Sequence, residues 1–136
     1  MLGLPEQMVN REPFPGPGLF IRIIGIPLTV ELLSLLRWAD ARVREIVRKS
    51  DAAGEISQLV VALLGVRITG VTGDRRRYGF PIAIRAVKTL DFMTAQGICL
   101  PKDVLAEIQD TLMSRDEICG VFQDSSDKPP RTIEFE

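Results

Sequence analysis

The sequence predicts an α+β fold: a single small domain with an αα-hairpin packed on a short, mostly antiparallel sheet. Three observations lead there. Residues 29–49 carry apolar side chains at helical spacing. Two short runs, LFIRIIGI at 19–26 and VRITGVT at 66–72, are rich in β-branched residues. The length, 136 residues, suits one domain and not two. The expected organisation is a flexible proline-rich arm at 1–18, an α+β domain at 19–122, and a polar tail or edge strand at 123–136.

The arm holds Pro5, Pro13, Pro15 and Pro17 with Gly16 and Gly18, and prolines at that density sustain neither a helix nor a central strand. The strand at 19–26 is apolar on both faces and stops at Pro27. Thr29 then caps a helix whose apolar stripe is Leu32, Leu36, Ala39, Val43 and Ile46. Glu31 sits in its first turn and Arg48 and Lys49 in its last, which suits the helix dipole at both ends. Asp40 with Arg44, and Glu45 with Lys49, form i,i+4 pairs along it. A second helix is expected over 51–64, closed by Gly65, and makes the αα-hairpin.

Residues 66–72 alternate as a half-buried strand, and Gly73-Asp74 opens a turn. Residues 78–96 admit two patterns. Phe80, Ile82, Ile84 and Ala86 follow a strand period, whereas Ile82, Ala86, Leu90 and Met93 share a helix face behind Pro81. A helix is favoured from about Ala86, and the first half stays open between strand and helix. A further helix runs from Pro101 to about Ser114, and 118–122 reads as a short strand. QDSSDKPP is a loop, and TIEFE an edge strand or a frayed tail.

Composition excludes several kinds of chemistry. The chain contains no histidine, so a Ser-His-Asp or Cys-His site cannot be built within it. Two cysteines, Cys99 and Cys119, are too few for a disulfide framework and read as reduced small hydrophobes. No metal cluster, cofactor motif, signal peptide or membrane span is legible, and a cytoplasmic, intracellular protein without metal or small-molecule cofactor is expected.

Five features bear on function. GVTGDRRRYGF, at 70–80, matches neither a P-loop nor GxGxxG, but it sets Arg75, Arg76 and Arg77 beside Tyr78. Guanidinium forks recognise phosphate, and a tyrosine stacks on a base. Residues 86–114 have roughly helix-turn-helix lengths, yet the second helix carries Asp103, Glu107 and Asp110 against Lys102 alone, which argues against DNA. The pairs Asp116–Glu117, Asp103–Glu107 and Asp124–Asp127 read as solvated surface. Trp38, slightly off the main helical stripe, reads as core rather than an exposed anchor.

The fifth feature is a charge asymmetry. Residues 37–88 hold 11 basic and five acidic side chains, and residues 89–136 hold four basic and ten acidic ones. If that separation persists in space, the protein is expected to be a non-enzymatic interaction or structural protein. It self-associates as a homo-oligomer through complementary basic and acidic regions. The alternative is binding of RNA, DNA or an acidic membrane surface through Arg75, Arg76, Arg77 and Tyr78, aided by Arg42, Arg44, Arg48 and Lys49. The competing arrangement folds the acidic third over the basic segment in the same molecule. An enzyme using carboxylate or lysine chemistry is the least favoured reading, and its structural sign is a pocket joining Lys88 or Arg85 to a buried acid.

Overall fold

The computed structural model describes residues 18–91 and 93–135. Apart from Gly18, the expected proline-rich arm lies outside the described residues. A 3-10 turn, Gly18–Arg22, leads into β1 (Ile23–Ile24), and α1 (Val30–Arg48) follows. A second 3-10 turn, Asp51–Glu55, precedes β2 (Gln58–Leu64), β3 (Ile68–Thr72), β4 (Arg75–Lys88) and β5 (Gln96–Ile98). Then come α2 (Lys102–Leu112) and β6 (Ile118–Asp124). The α+β class holds, with two helices packed on a mixed six-stranded sheet.

Helix α1 forms as its sequence dictates. Thr29 is extended at the N-cap and its Oγ1 accepts a hydrogen bond from Leu32 N at 3.1 Å. Both expected i,i+4 pairs are present, Arg44 to Asp40 and Lys49 to Glu45. Leu35, Leu36, Ala39, Val43, Ile46 and Val47 are buried, and Leu32 is half-buried. Trp38 is half-buried against the same core, with the Arg115 guanidinium 4.9 Å from its ring centroid.

The helix expected at 51–64 is instead one short 3-10 turn followed by β2, so there is no αα-hairpin. The reason is burial on both faces. Strand β2 lies between β1 and β4, with Leu59, Val61 and Leu63 in the helix-side core and Val60 on the opposite face. A short, continuously apolar run has no period that separates a buried strand from a buried helix. Here β-branched Val60 and Val61 go with the strand.

The same physics corrects residues 78–96. Strand β4 runs unbroken for 14 residues, and Gly79–Val87 are all buried. β2 takes one of its edges along residues 82–87, antiparallel. The other edge is shared end to end by β3 at 75–79, β6 at 80–85 and β5 at 86–88. The pairings with β1–β2 and β4–β6 are parallel and the other three antiparallel, so the sheet is mixed rather than mostly antiparallel. Pro81 sits at the register shift where β3 gives way to β6, a place where a missing donor is tolerated. The helix face that would have joined Ile82, Ala86, Leu90 and Met93 does not exist. Leu90 and Met93 are exposed on the turn after β4.

Residues 19–26 give the 3-10 turn and a two-residue strand rather than a full strand. The expected turn at Gly73-Asp74 is present, with Gly73 at φ 61° joining β3 to β4. Strand 118–122 is present as β6, two residues longer.

Both helices cover one face of the sheet, where Leu36, Val43, Ile82, Ile84, Ile108, Leu112 and Ile118 are buried together. Residues 125–135 cover the other. They are neither an edge strand nor a tail. They cross the sheet as irregular backbone, and Ile133 packs with Val60, Val87 and Ala95, flanked by Phe135. Among the described residues no helix is long and apolar enough to cross a membrane.

Candidate functional site

The residues first singled out for anion binding fall on two elements. Arg42, Arg44, Arg48 and Lys49 line α1 or its C-cap, while Arg75, Arg76, Arg77 and Tyr78 open β4. Several are already engaged within the molecule. Arg44 Nε donates to Asp40 at 3.0 and 3.1 Å, and its Nη2 donates to Leu59 O at 2.7 Å, tying α1 to β2. Arg42 and Lys49 both pair with Glu45. Those two cations hold the Glu45 carboxyl below its ordinary value, the Lys49 hydrogen bond contributing most.

Arg77 caps the far end of α2. Its Nη2 donates to Met113 O at 3.1 Å and Ile118 O at 2.8 Å, and its Nη1 pairs with Asp116 at 3.0 Å. Arg75, Arg76 and Tyr78 stay exposed, and neither arginine makes an ion pair with a described residue. Arg48 is likewise exposed.

The buried charges are elsewhere. Among the described residues, the buried polar and charged side chains are Arg22, Gln58, Arg85 and Glu134. Ionised groups are rarely buried unless paired, because desolvation costs several kcal/mol per ion. Here Arg22, Arg85 and Glu134 all meet the segment 125–135. Arg22 Nη2 donates to Glu134 Oε1 at 2.7 Å, and its Nε to Oε2 at 3.1 Å. Arg85 points into the face opposite the helices. Its Nε donates to Thr132 O at 3.1 Å and Ile133 O at 3.0 Å, and its Nη1 to Ser126 O at 2.6 Å.

Asp124, the last residue of β6, faces Arg85 Nη1 at 3.5 Å and accepts from Arg131 Nε at 2.9 Å. Burial raises the Asp124 carboxyl. Hydrogen bonds from Ser126 and the charges of Arg85 and Arg131 outweigh that and hold it below its ordinary value. Burial also pulls the Arg85 guanidinium down, with Asp124 opposing. Arg131 Nη1 donates to Thr132 O and Glu134 O, and its guanidinium stacks 4.6 Å from the Phe135 ring centroid. Further ties hold the loop to β5. Gly97 N donates to Asp127 Oδ1 at 2.8 Å, and Ala95 and Lys128 exchange two backbone hydrogen bonds. The segment is thus a preformed surface, set by charge rather than by a ladder.

Three sequence readings change at this point. Asp124 is not solvated surface: it is partly buried between two guanidiniums. The acidic C-terminal third does fold onto the basic segment, through Arg77–Asp116 and Arg85–Asp124, so the linear charge separation is partly cancelled in space. Arg85 does meet an acid, Asp124, although that carboxylate is only partly buried. Sequence reasoning missed Arg22, Glu134 and Arg131. The available signal was a lone charge inside an apolar β-branched run, as in LFIRIIGI, IAIRAV and TIEFE.

Comparison with known proteins gives the family: residues 45–135 match the one described as GMP synthase C terminal domain. The chain belongs to that family. It is 44% identical over 136 residues to the glutamine-hydrolyzing GMP synthase of Coxiella burnetii (strain RSA 331 / Henzerling II). The corresponding values are 46% over 138 residues for that of Clostridium botulinum (strain Eklund 17B / Type B) and 47% over 137 for that of Parafrankia sp. (strain EAN1pec). Each alignment covers 99% of this chain and 26% of the relative, so the chain spans about a quarter of their length.

Family membership overturns the functional expectation drawn from charge. The chain is a domain of an enzyme family, not a non-enzymatic, self-associating structural protein. The homo-oligomer and the RNA, DNA or acidic-membrane partner expected from charge lose their support with it, the relatives being GMP synthases. Charge separated along the chain is brought together in space by Arg77–Asp116 and Arg85–Asp124.

Proposed function

We propose that this chain works as the C-terminal domain of a glutamine-hydrolysing GMP synthase, and that residues 124–135 hold the anionic end of the nucleotide. The observation that carries this reading is the convergence of the buried Arg22 and Arg85 on that one segment, Arg22 through the segment's Glu134. A surface fixed by buried charge is costly to build, and such cost is commonest where a ligand must be met by groups already in place. The half-buried cations Lys128 and Arg131 flank Pro129 and Pro130 on this surface, beside Thr132, whose hydroxyl accepts from Arg131 and donates to Glu134 O. They are the proposed phosphate contacts, since ammonium and guanidinium donors suit a phosphate dianion.

The division of labour follows from composition. Hydrolysis of glutamine by a cysteine nucleophile requires an adjacent base, commonly histidine, and these 136 residues contain none. That step therefore falls to the rest of the synthase, and this domain serves the nucleotide. A cytoplasmic location fits an enzyme of nucleotide synthesis.

A second reading keeps the anion at Arg75, Arg76 and Tyr78, assisted by Arg48. It is favoured by their exposure and by the lack of an ion pair to either hairpin arginine among the described residues. Titration of the isotope-labelled chain with GMP, followed by amide NMR shifts, separates the two. The first reading expects shifts confined to residues 124–135, and the second expects them at 72–78. A titration to millimolar GMP that moves neither region rejects both.

A further inference from the structure

Beyond the single Ala95–Lys128 bridge, residues 125–135 pair with no strand, so their shape depends largely on side-chain donors reaching their carbonyls. Three of those bonds come from one residue. Arg85 grips Ser126 O at one end of the loop and Thr132 O and Ile133 O at the other. The stretch between these anchors contains Lys128, Pro129, Pro130 and Arg131.

We propose that Arg85 is the positioning residue of the nucleotide site, its single fork setting the loop that presents Lys128 and Arg131. The proposal rests on the reading of residues 124–135 given above and adds to it the group that makes the site. Arg85 does not itself touch the nucleotide. Its side chain is 0% exposed, in the centre of the sheet, where Val60 and Asp124 are its register partners. Its base on β4 is rigid, with β2 on one edge and β6 on the other. Asp124 sits at the root of the same loop and completes the arrangement, receiving Arg85 on one side and Arg131 on the other.

The chemistry is particular to a guanidinium. Its planar fork directs donors at diverging angles and reaches Ser126 O and the 132–133 carbonyls at once. An ammonium at the same depth is a point charge on a flexible stem and cannot hold both ends of the loop.

The test compares wild type, Arg85→Lys, and Arg85→Ala with and without millimolar guanidinium. Amide hydrogen exchange and GMP affinity are read on the same samples. In Arg85→Lys the amides of β2 and β4 should stay protected, while those of 126–135 exchange faster and the Kd for GMP rises about tenfold or more. Guanidinium should restore both quantities in Arg85→Ala. An Arg85→Lys protein that binds GMP as wild type does, or one whose loop amides are unchanged, overturns the role of Arg85 while leaving the nucleotide reading intact. Wild type that binds no GMP at 124–135 overturns the nucleotide reading, and this proposal with it. If neither variant folds alone, the guanidinium-refolded Arg85→Ala decides: affinity that does not track guanidinium concentration rejects the proposal.

Discussion

Arg22 and Glu134 lie 112 positions apart in the chain and share a two-pronged ion pair, closing at 2.7 Å between Nη2 and Oε1. The arginine side chain is 0% exposed and the glutamate 10%. The bridge joins the strand entry at β1 to the last described residues, so it fastens the covering segment to the sheet edge opposite β6. Neutralising Glu134 takes a buried carboxylate away from a buried guanidinium. Glu134→Gln is therefore expected to lower stability by about 3 kcal/mol. The double variant Arg22→Met/Glu134→Leu should recover a large part of that loss. Urea denaturation of the single and double variants measures both.

Close packing at Gly97 makes a second prediction. A Cβ built there would overlap the carbonyl of Ser125, while Gly97 N donates to Asp127. Gly97→Ala must push the loop away from β5, at a cost of about 1–3 kcal/mol for an overpacked site. The helices and β2 lie away from this contact. The loss should thus appear as faster hydrogen exchange at 125–131 beyond that of the core.

The hairpin arginines provide an internal control. Arg77 bonds Met113 O and Ile118 O from a mostly buried position, whereas Arg75 is exposed on the same strand. Arg77→Ala should destabilise the domain by about 2 kcal/mol, because two carbonyls lose a charged donor. Arg75→Ala should stay within about 0.5 kcal/mol of wild type, as exposed substitutions usually do. Equal losses would mean that the capping role assigned to Arg77 is wrong.

Legibility in the sequence followed the physics of each signal. Helix α1 was readable to within a residue because cap, stripe and charge pairs all agreed from Thr29 to Lys49. The Gly73-Asp74 turn was equally plain. Strand β2 was not, since it is buried on two faces and loses the alternation that marks a strand, and in β4 the strand period of Phe80, Ile82, Ile84 and Ala86 competes with a helix face behind Pro81. The site was obscured for a related reason. Runs of adjacent arginines at 75–77 drew attention, whereas the buried charges are single residues in apolar stretches. Arg85 was visible as a candidate only if paired with a hidden acid. That the acid is Asp124 depends on the parallel register of β6 along β4, which no local pattern encodes.

Acid stability follows from Asp124. Its folded-state carboxyl is held below its ordinary value, so it binds protons less readily folded than unfolded. The stability it contributes is complete above the unfolded value of about 3.9 and is lost as pH falls through the lower folded value. Wild type should therefore lose stability progressively below about pH 4. Asp124→Asn should show a shallower acid limb and lower stability at neutral pH. Denaturant midpoints collected from pH 2 to 7 check the slope, and identical slopes for both proteins would remove Asp124 from the account.

The central claim is that the segment locked by Arg22, Arg85 and Glu134 serves the nucleotide. Its most direct test is steady-state kinetics on a GMP synthase in which this chain replaces the C-terminal quarter of the Clostridium botulinum relative, with and without Lys128→Ala. The predicted result is a nucleotide KM raised about tenfold or more by Lys128→Ala, with glutamine hydrolysis unchanged. A chimaera that forms GMP with the same nucleotide KM in both versions would contradict it.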